Sequence, residues 1–485
     1  MLVILLVLTM PAGVSMAAIP ALKEITDSIL WQVPNWYTDG IDSGVEYGGS
    51  VAGAGDVNDD GYDDIIIGAP KYLVAGERSG SAFIYLGSAG GVSDLLQRQL
   101  TPPGGITGSL FGAAVEGAGD VNGDGYDDII VGASYHHELN GHEGAVYVYH
   151  GGLGGIATNP NWSKIGPGND IQFGFAVSGA GDVNHDGYDD ILVGAPYYGS
   201  NNSSEGAAYL FLGSETGLST EPAWIYEGGQ AGATLGWVVA GIGNINPDVD
   251  YYDDVAVTAP GYDAEDSNEG LVMVFLGSST GLEAVPVWSV PGVEMGERFG
   301  SAVDGAGDVD GNGYLDLIVG ARGYDGDQME IGAAYLFSNS DTGLSTTASW
   351  MVSSDQDYSG FGISVAGLGD VNQDGYADVA VGAQRYTDDQ REEGCVFAYR
   401  GSPIGLESSP NWIAGGDKAE AAFGSSISTA GDVNNDGKKD LIVGAPTYKF
   451  DERIVMGRAF VFHGASAGEV TIFKVFLPSI IKTVP

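Results

Sequence analysis

Apolar positions along this chain come in short bursts, without the three-to-four spacing of an amphipathic helix. One burst, Phe111-Gly112-Ala113-Ala114-Val115, opens on an aromatic-Gly pair and runs into an acidic loop, and a second, Ile129-Ile130-Val131-Gly132-Ala133, leaves it. A polar loop leads to a third, GAVYVYH from Gly144. A Gly-rich turn of the kind LGSETGL from Leu212 then precedes a fourth segment that carries a Trp. This order recurs seven times, with the acidic loop beginning at Asp56, Asp120, Asp182, Asn244, Asp308, Asp370 and Asp432, in steps of 62 or 64 residues. A unit of that period cannot bury its own apolar face and must stack on its neighbours. Four short strands per repeat, joined by Gly-rich turns, describe propeller blades. The expected fold is all-β: a seven-bladed β-propeller of four-stranded antiparallel blades, the acidic loop joining the first two strands of each. The seven copies leave no room for a separate catalytic domain.

The Trp register bears on how the ring closes. Trp162, Trp224, Trp288, Trp350 and Trp412 each lie 11 residues before the next aromatic-Gly position or its equivalent (Phe173, Leu235, Phe299, Phe361, Phe423), as Leu100 does before Phe111. Trp36 has the same offset from Tyr47, so an outer strand precedes the first copy, while the seventh supplies only three, ending near His463. Residues 29–40 are therefore expected to become the outer strand of blade 7, which removes two sheet edges. The rival for that place is the tail VTIFKVFLPSIIKTVP, in which Phe476 falls at nearly the right distance.

Composition sharpens the picture. The 80 glycines fit a chain of many tight turns. With 18 Lys+Arg against 65 Asp+Glu, the net charge of −47 excludes a general phosphate-binding surface and with it nucleic acid as the partner. At 44% hydrophobic residues the chain is not one kept unfolded by charge. A single cysteine, Cys395, allows no internal disulfide; its alternating neighbours in EGCVFAY make it a buried strand residue.

Much of the acidity sits in the repeated loops. In the first, 56–64, oxygen-bearing side chains occupy positions 1, 3, 5 and 9 (Asp56, Asn58, Asp60, Asp64), a backbone carbonyl is offered at position 7 (Tyr62), and Gly61 allows the sharp turn at 6. That pattern is similar to the first part of an EF-hand loop, and hard oxygen ligands favour Ca2+ over softer metals. The equivalent sets are Asp120, Asn122, Asp124, Tyr126 and Asp128 in 120–128; Asp182, Asn184, Asp186, Tyr188 and Asp190 in 182–190; Asp370, Asn372, Asp374, Tyr376 and Asp378 in 370–378; and Asp432, Asn434, Asp436, Lys438 and Asp440 in 432–440. In 308–316, Asp308, Asp310, Asn312, Tyr314 and Asp316 exchange Asp and Asn at positions 3 and 5. The loop at 244–254 is two residues longer, begins with Asn244 and has Tyr251 in the Gly slot, so it is expected to be metal-free or weak. Six Ca2+ sites result, structural in the first instance.

Aromatic-Gly, D-x-[ND]-x-[DN]-G-x-x-D and Gly-Ala-Pro, in fixed order, resemble the FG-GAP repeats of the integrin α-subunit propeller and its bacterial relatives, over about residues 29–464. The resemblance implies Ca2+ loops on the lower face and recognition surfaces on the upper. It also implies concentric aromatic rings at the upper end of the channel that cage a basic side chain of a partner, the other reading being that the rings merely pack the channel. The positions concerned are Tyr72, His136, Tyr198, Tyr262, Tyr324, Tyr386 and Tyr448, with Tyr47, Phe111, Phe173, Phe299, Phe361 and Phe423 at the aromatic-Gly places.

Catalytic motifs are wanting. His137-Glu138 and His142 imitate a zinc-protease motif, but the histidines are five apart and Gly141 interrupts, so both cannot face one metal from one helix. Residues 1–18 fit a secretory signal cut after Ala17 or Ala18. A linker (19–28) would follow, then the propeller (29–464) and a tail (465–485) that is a sorting signal or an extra strand. The sequence thus describes a secreted or cell-surface, Ca2+-stabilised propeller acting as a non-enzymatic protein-binding or adhesion module, with an extracellular protein or carbohydrate ligand. The alternative is an extracellular hydrolase or lyase acting on polysaccharide or phospholipid, using loop acids such as Glu265, Asp266, Asp325 and Asp327.

Overall fold

The structure, a computed structural model, describes residues 28–466 except 138–140, 200–202, 247–250, 327–328 and 452–453. The expected signal segment, nearly all of the linker and most of the tail, including the rival strand at Phe476, lie outside the described residues.

Seven four-stranded antiparallel sheets form the blades of a propeller. Blade 2 shows the plan. Its strands are Phe111–Gly119, Asp128–Ala133, Ala145–Tyr149 and Trp162–Ile165, hydrogen-bonded in chain order from the inside outwards. The innermost strands of the others are Ser50–Gly55, Ala176–Gly181, Val239–Gly243, Phe299–Gly307, Phe361–Gly369 and Ser426–Gly431; each meets the next, and the last meets the first, around a central channel. The second and third strands of blade 2 are buried along their whole length. Neighbouring blades cover both faces, and this explains why these strands read as continuous apolar runs instead of alternating ones.

Blade 7 takes its outer strand from the other end of the chain. Trp36–Asp39 pairs antiparallel with Arg458–Phe462, Trp36 opposite Val461 and Asp39 opposite Arg458. The closure expected from the Trp register is the one observed.

The glycines of the repeat motif mark close approach between blades. A Cβ on Gly132, in the second strand of blade 2, would lie 2.2 Å from the carbonyl oxygen of Gly174 in the aromatic-Gly pair of blade 3. The same clash recurs between Gly194 and Gly236 and between Gly320 and Gly362. Aromatic residues fill the space beside these glycines: Phe111, fully buried, packs against Tyr147 and Tyr149 of its own blade at 5.5 and 6.5 Å. The outer Trp then reaches across to the following blade, as Trp162 Nε1 does in donating to the Ser219 carbonyl at 3.1 Å.

Candidate metal centres and the central channel

Each acidic loop begins where a β-bulge ends the innermost strand, as at Gly117/Gly119 in blade 2, and bends the chain out of the sheet. Position 6 is a glycine with φ between 85° and 92° in all six regular loops, a backbone that a side chain would strain. The first carboxylate organises the turn. Asp56 accepts N–H bonds from Asp60 at 3.1 Å and Gly61 at 2.7 Å, and the pair recurs at Asp120, Asp182, Asp308, Asp370 and Asp432. Position 5 accepts from the N–H of position 7, Tyr62 to Asp60 at 3.2 Å and Tyr126 to Asp124 at 3.1 Å. Position 9 begins the second strand and is fully buried: Asp64 accepts from Val57 N at 3.0 Å and from Gly87 N at 2.8 Å. These bonds hold the backbone around the carboxylates.

Whether a cation fits can be judged from what the loops leave unpaired. At position 3, Asn58, Asn184, Asn372 and Asn434 bury their Oδ1 atoms without a hydrogen-bond partner. A buried polar atom left so is costly unless something else binds it. In blade 5, where position 3 is an aspartate, carboxylate oxygens of Asp308, Asp310 and Asp316 all lie within 4.8 Å of one another, about twice a Ca–O bond length. Burial pushes the position-9 carboxyls up, to about 8 for Asp64, Asp128 and Asp190, to about 7 for Asp316 and Asp440, and well above the ordinary range for Asp378. The two N–H donors oppose this and the neighbouring loop carboxylates add to it. A set of acids that burial and mutual repulsion drive towards protonation fits a divalent cation, which would hold them ionised. Positions 1, 3, 5 and 9 would hold it by their side chains. In blade 7, Lys438 at position 7 places its ammonium 3.6 Å from Asp436 Oδ2, a partial counter-charge absent from the Tyr-bearing loops.

The irregular loop of blade 4 keeps the structural half of this scheme. Asp254 accepts N–H bonds from Ile245 at 2.9 Å and Gly277 at 2.9 Å, as position 9 does elsewhere, but 247–250 lie outside the described residues.

Position 8, which sequence reasoning passed over because it ligates nothing, joins the blades. Asp127 Oδ2 of blade 2 accepts the N–H of Asp56 in blade 1 at 2.8 Å. Asp189 does the same for Asp120 at 2.8 Å, Asp253 for Asp182 at 3.0 Å, and Asp63 for Asp432 across the ring closure at 2.6 Å. Blades 5, 6 and 7 have Leu315, Ala377 and Lys439 at this place and lack the link. Burial raises the carboxyls of Asp127 and Asp253, and takes that of Asp189 to about 6.

The channel encloses a cavity of about 860 Å³, open at the end away from the acidic loops. The aromatic rings expected around it are elsewhere. Tyr47, Phe111, Phe173, Phe299, Phe361 and Phe423 are at most 3% exposed and lie between blades. Of the second set, Tyr72 packs on Phe83 at 5.3 Å, Tyr324 on Tyr335 at 6.4 Å, Tyr386 on Phe397 at 5.2 Å and Tyr448 on Phe460 at 5.8 Å, all third-strand residues. His136 bonds through Nδ1 to the Tyr147 hydroxyl at 2.9 Å, Tyr198 donates to Glu227 at 3.0 Å, and Tyr262 packs against the core between blades 3 and 4. None of these lines the cavity. The reason is register: the aromatic of each aromatic-Gly pair turns into the blade, so the residue after the pair, Phe175 or Trp237, faces the channel mouth together with Tyr135 and Tyr197. Deeper in, Glu116 of blade 2 and Asp304 of blade 5 line the wall. Burial, with the charge of Asp304, pushes the Glu116 carboxyl up to about 8; burial takes Asp304 to about 7 against the N–H bonds of Gly367 and Gly305.

The loop acids do not assemble into a catalytic pair among the described residues. Asp325 accepts the N–H of Glu330 at 2.7 Å within its own loop, and Glu265 and Asp266 give their N–H groups to Glu269; Asp327 lies outside the described residues. His142 bonds to Asp170 at 3.2 Å and packs against Tyr135 at 4.6 Å, while Glu138 is outside the described residues. No helix among the described residues is long and apolar enough to cross a membrane.

Comparison with known proteins agrees with this geometry. The FG-GAP repeat matches at residues 47–85, 111–149, 173–211, 299–337, 361–394 and 423–473, every copy except the irregular blade 4. The chain is 37% identical over 164 residues to integrin alpha-6 of Homo sapiens, covering 34% of this chain and 14% of that protein. It is 42% identical over 165 residues to integrin alpha pat-2 of Caenorhabditis elegans (30% and 13%), and 33% identical over 199 residues to integrin alpha-3 of Mus musculus (40% and 17%). It thus spans less than a fifth of the length of these relatives.

Proposed function

Because the chain is an FG-GAP repeat protein that resembles the N-terminal β-propeller of integrin α-subunits, we propose that it is a secreted or cell-surface adhesion module that binds an extracellular partner without catalysis and is stabilised by Ca2+ in six of its seven loops. The observation that carries the calcium reading is the buried, unpaired Oδ1 of position 3 beside the position-1 and position-9 carboxylates, repeated from blade to blade. Bound calcium would neutralise each loop and tie its turn to the second strand. Blade 4, with its longer loop, would bind weakly or not at all.

The partner surface would be the face away from the calcium loops, where the channel opens. Its acidic wall, Glu116 and Asp304, supports a partner that inserts a basic side chain. The test is capture of surface-exposed proteins on the immobilised full chain, with Ca2+ and with EDTA, compared with Glu116→Gln and Asp304→Asn. Calcium-dependent capture that weakens in both variants is expected. Capture indifferent to both variants would remove the basic partner, and turnover of a polysaccharide or phospholipid abolished by Asp325→Asn would replace adhesion by catalysis.

A further inference from the structure

Basic residues are scarce here, and most are matched. Among the described residues, Lys71, Lys164, Arg391, Arg400, Lys438, Lys439, Lys449 and Arg458 each have a carboxylate in ion-pair range. Arg78 and Arg98 donate to backbone carbonyls, of Gly44 at 2.9 Å and Ile156 at 3.1 Å. Arg298, Arg322 and Arg385, and apart from them Lys418, have no such carboxylate among the described residues, in a chain with 65 acids. The nearest influence of opposite sign on Arg322 is Glu330, outside ion-pair distance.

The repeat brings these three to one place. Arg298 precedes its aromatic-Gly pair, as Glu46, Leu110 and Gln172 do in blades 1 to 3, and those three line the channel cavity. Arg385 holds the place of Lys71, Tyr135 and Tyr197, and Arg322 that of Pro70 and Ser134, again cavity-lining residues. By repeat position the three arginines therefore fall beside the channel mouth at blades 5 and 6, just outside the residues that line the cavity, where blades 2 to 4 present aromatic residues. Arg322 sits at the junction: its guanidinium carbon is 5.8 Å from the centre of the Trp237 ring, which meets Phe175 at 4.8 Å with the two rings tilted by 48°. Its backbone N–H reaches the cavity-lining Ser301 at 3.0 Å, and its Nε is buried without a partner. Burial and the like charges of Arg298 and Arg385 hold the guanidinium below its ordinary value.

An unmatched guanidinium cluster calls for an anion, and a carboxylate suits its fork. Trp237 and Phe175 offer aromatic surface beside it, against which a sugar ring can pack. The wall adds the hydroxyl of Ser425, whose Oγ is buried with no partner. A carboxylate, an apolar ring face and a hydroxyl together describe one ligand class. We infer that the channel mouth binds an acidic sugar residue of the uronate type, its carboxylate held by Arg298, Arg322 and Arg385 and its ring on Trp237 and Phe175. This site is separate from the acidic wall formed by Glu116 and Asp304.

The experiment is calorimetric titration of the calcium-loaded full chain with glucuronate, glucose and inorganic phosphate. Glucuronate is expected to bind saturably, phosphate more weakly, and glucose not at all. Arg298→Gln and Arg385→Gln, both at exposed positions whose change leaves packing intact, should each weaken glucuronate about 10-fold or more, the loss of one charge-assisted bond. Trp237→Leu should weaken it as well, whereas Glu116→Gln should not. No saturable glucuronate binding, or affinity unchanged in both arginine variants, would overturn the inference. Glucose binding as tightly as glucuronate would overturn the role of the arginines, and phosphate binding more tightly would overturn the sugar.

Discussion

At the scale of single residues, the glycine that ends the innermost strand of blades 1, 2, 3 and 7 and the aspartate at loop position 8 of the following blade are one device. A Cβ on Gly119 would fall 2.1 Å from Asp189 Oδ2, and φ there is 68°, so the glycine makes room for the neighbour's carboxylate to reach the Asp120 N–H. Gly119→Ala must displace that carboxylate and strain the backbone, and should cost about 1–3 kcal/mol or more in denaturant unfolding. Asp189→Ala leaves a partly buried N–H unpaired and should cost about 1–3 kcal/mol, whereas Asp189→Asn keeps an acceptor, removes a charge that its neighbours repel, and should lose far less. Equal losses in the Ala and Asn variants would show that charge, not the hydrogen bond, joins the blades. The turn of the six regular loops was legible in the sequence because oxygen-bearing residues at alternate positions around a turn glycine predict the tight loop that the first aspartate's N–H bonds hold. The latch was not, because an aspartate beside a ligand aspartate carries no spacing of its own, and only the assembled ring shows that it faces another blade.

Among the elements, the outer strand Trp36–Asp39 does most to decide whether the ring closes. Arg458 forks Asp39 with bonds of 2.5 and 2.7 Å and lies between the rings of Tyr37 and Tyr448, at 4.3 and 4.1 Å from their centres. Upstream, the Trp31 carbonyl accepts from Trp412 Nε1 at 3.0 Å, taking the part that the turn of the next blade plays for Trp162. The N-terminal segment therefore replaces both a strand and a turn of blade 7. Removing residues 28–40 should expose the edge of Arg458–Phe462 and turn the monomer into dimers or larger species by light scattering. Asp39→Ala, which leaves Arg458 half-matched between two aromatic rings, should stay monomeric and lose about 1–3 kcal/mol. A truncated chain that remained monomeric with an unchanged melting temperature would mean that the ring does not depend on this strand. The Trp offset foretold the closure because period and offset are properties of the sequence. The channel lining was misread because facing is set by the turn of the chain at the aromatic-Gly pair, where Gly174 has φ of 81° and sends Phe173 inward and Phe175 to the channel mouth.

For the whole molecule, charge and fold are coupled through the buried loop acids, and on the calcium reading proposed above the sign of that coupling would change when the metal binds. Without metal, Asp64, Asp128 and Asp190 release their protons only near pH 8 in the folded chain, against about 3.9 when unfolded. The folded state then binds more protons than the unfolded one across that interval. Stability present in full below about pH 4 drains away as pH rises towards 8. Bound calcium reverses the slope, since the same carboxylates must be ionised to ligate it and protons compete with it. In EDTA the melting temperature should therefore fall between pH 5 and pH 8, and in excess Ca2+ it should rise over the same range. Each site filled at 100 times its dissociation constant adds about 2.7 kcal/mol, so the two curves should be widest apart at the alkaline end. Glu116 and Asp304 in the channel bind no calcium in this scheme and would tilt both curves downward with pH, so the EDTA slope alone is not diagnostic. The difference between the curves is, because the channel acids cancel in it. A separation that stayed constant from pH 5 to pH 8 would mean that the metal does not bind through these carboxylates, and the loops would then be acidic turns held by their own N–H bonds.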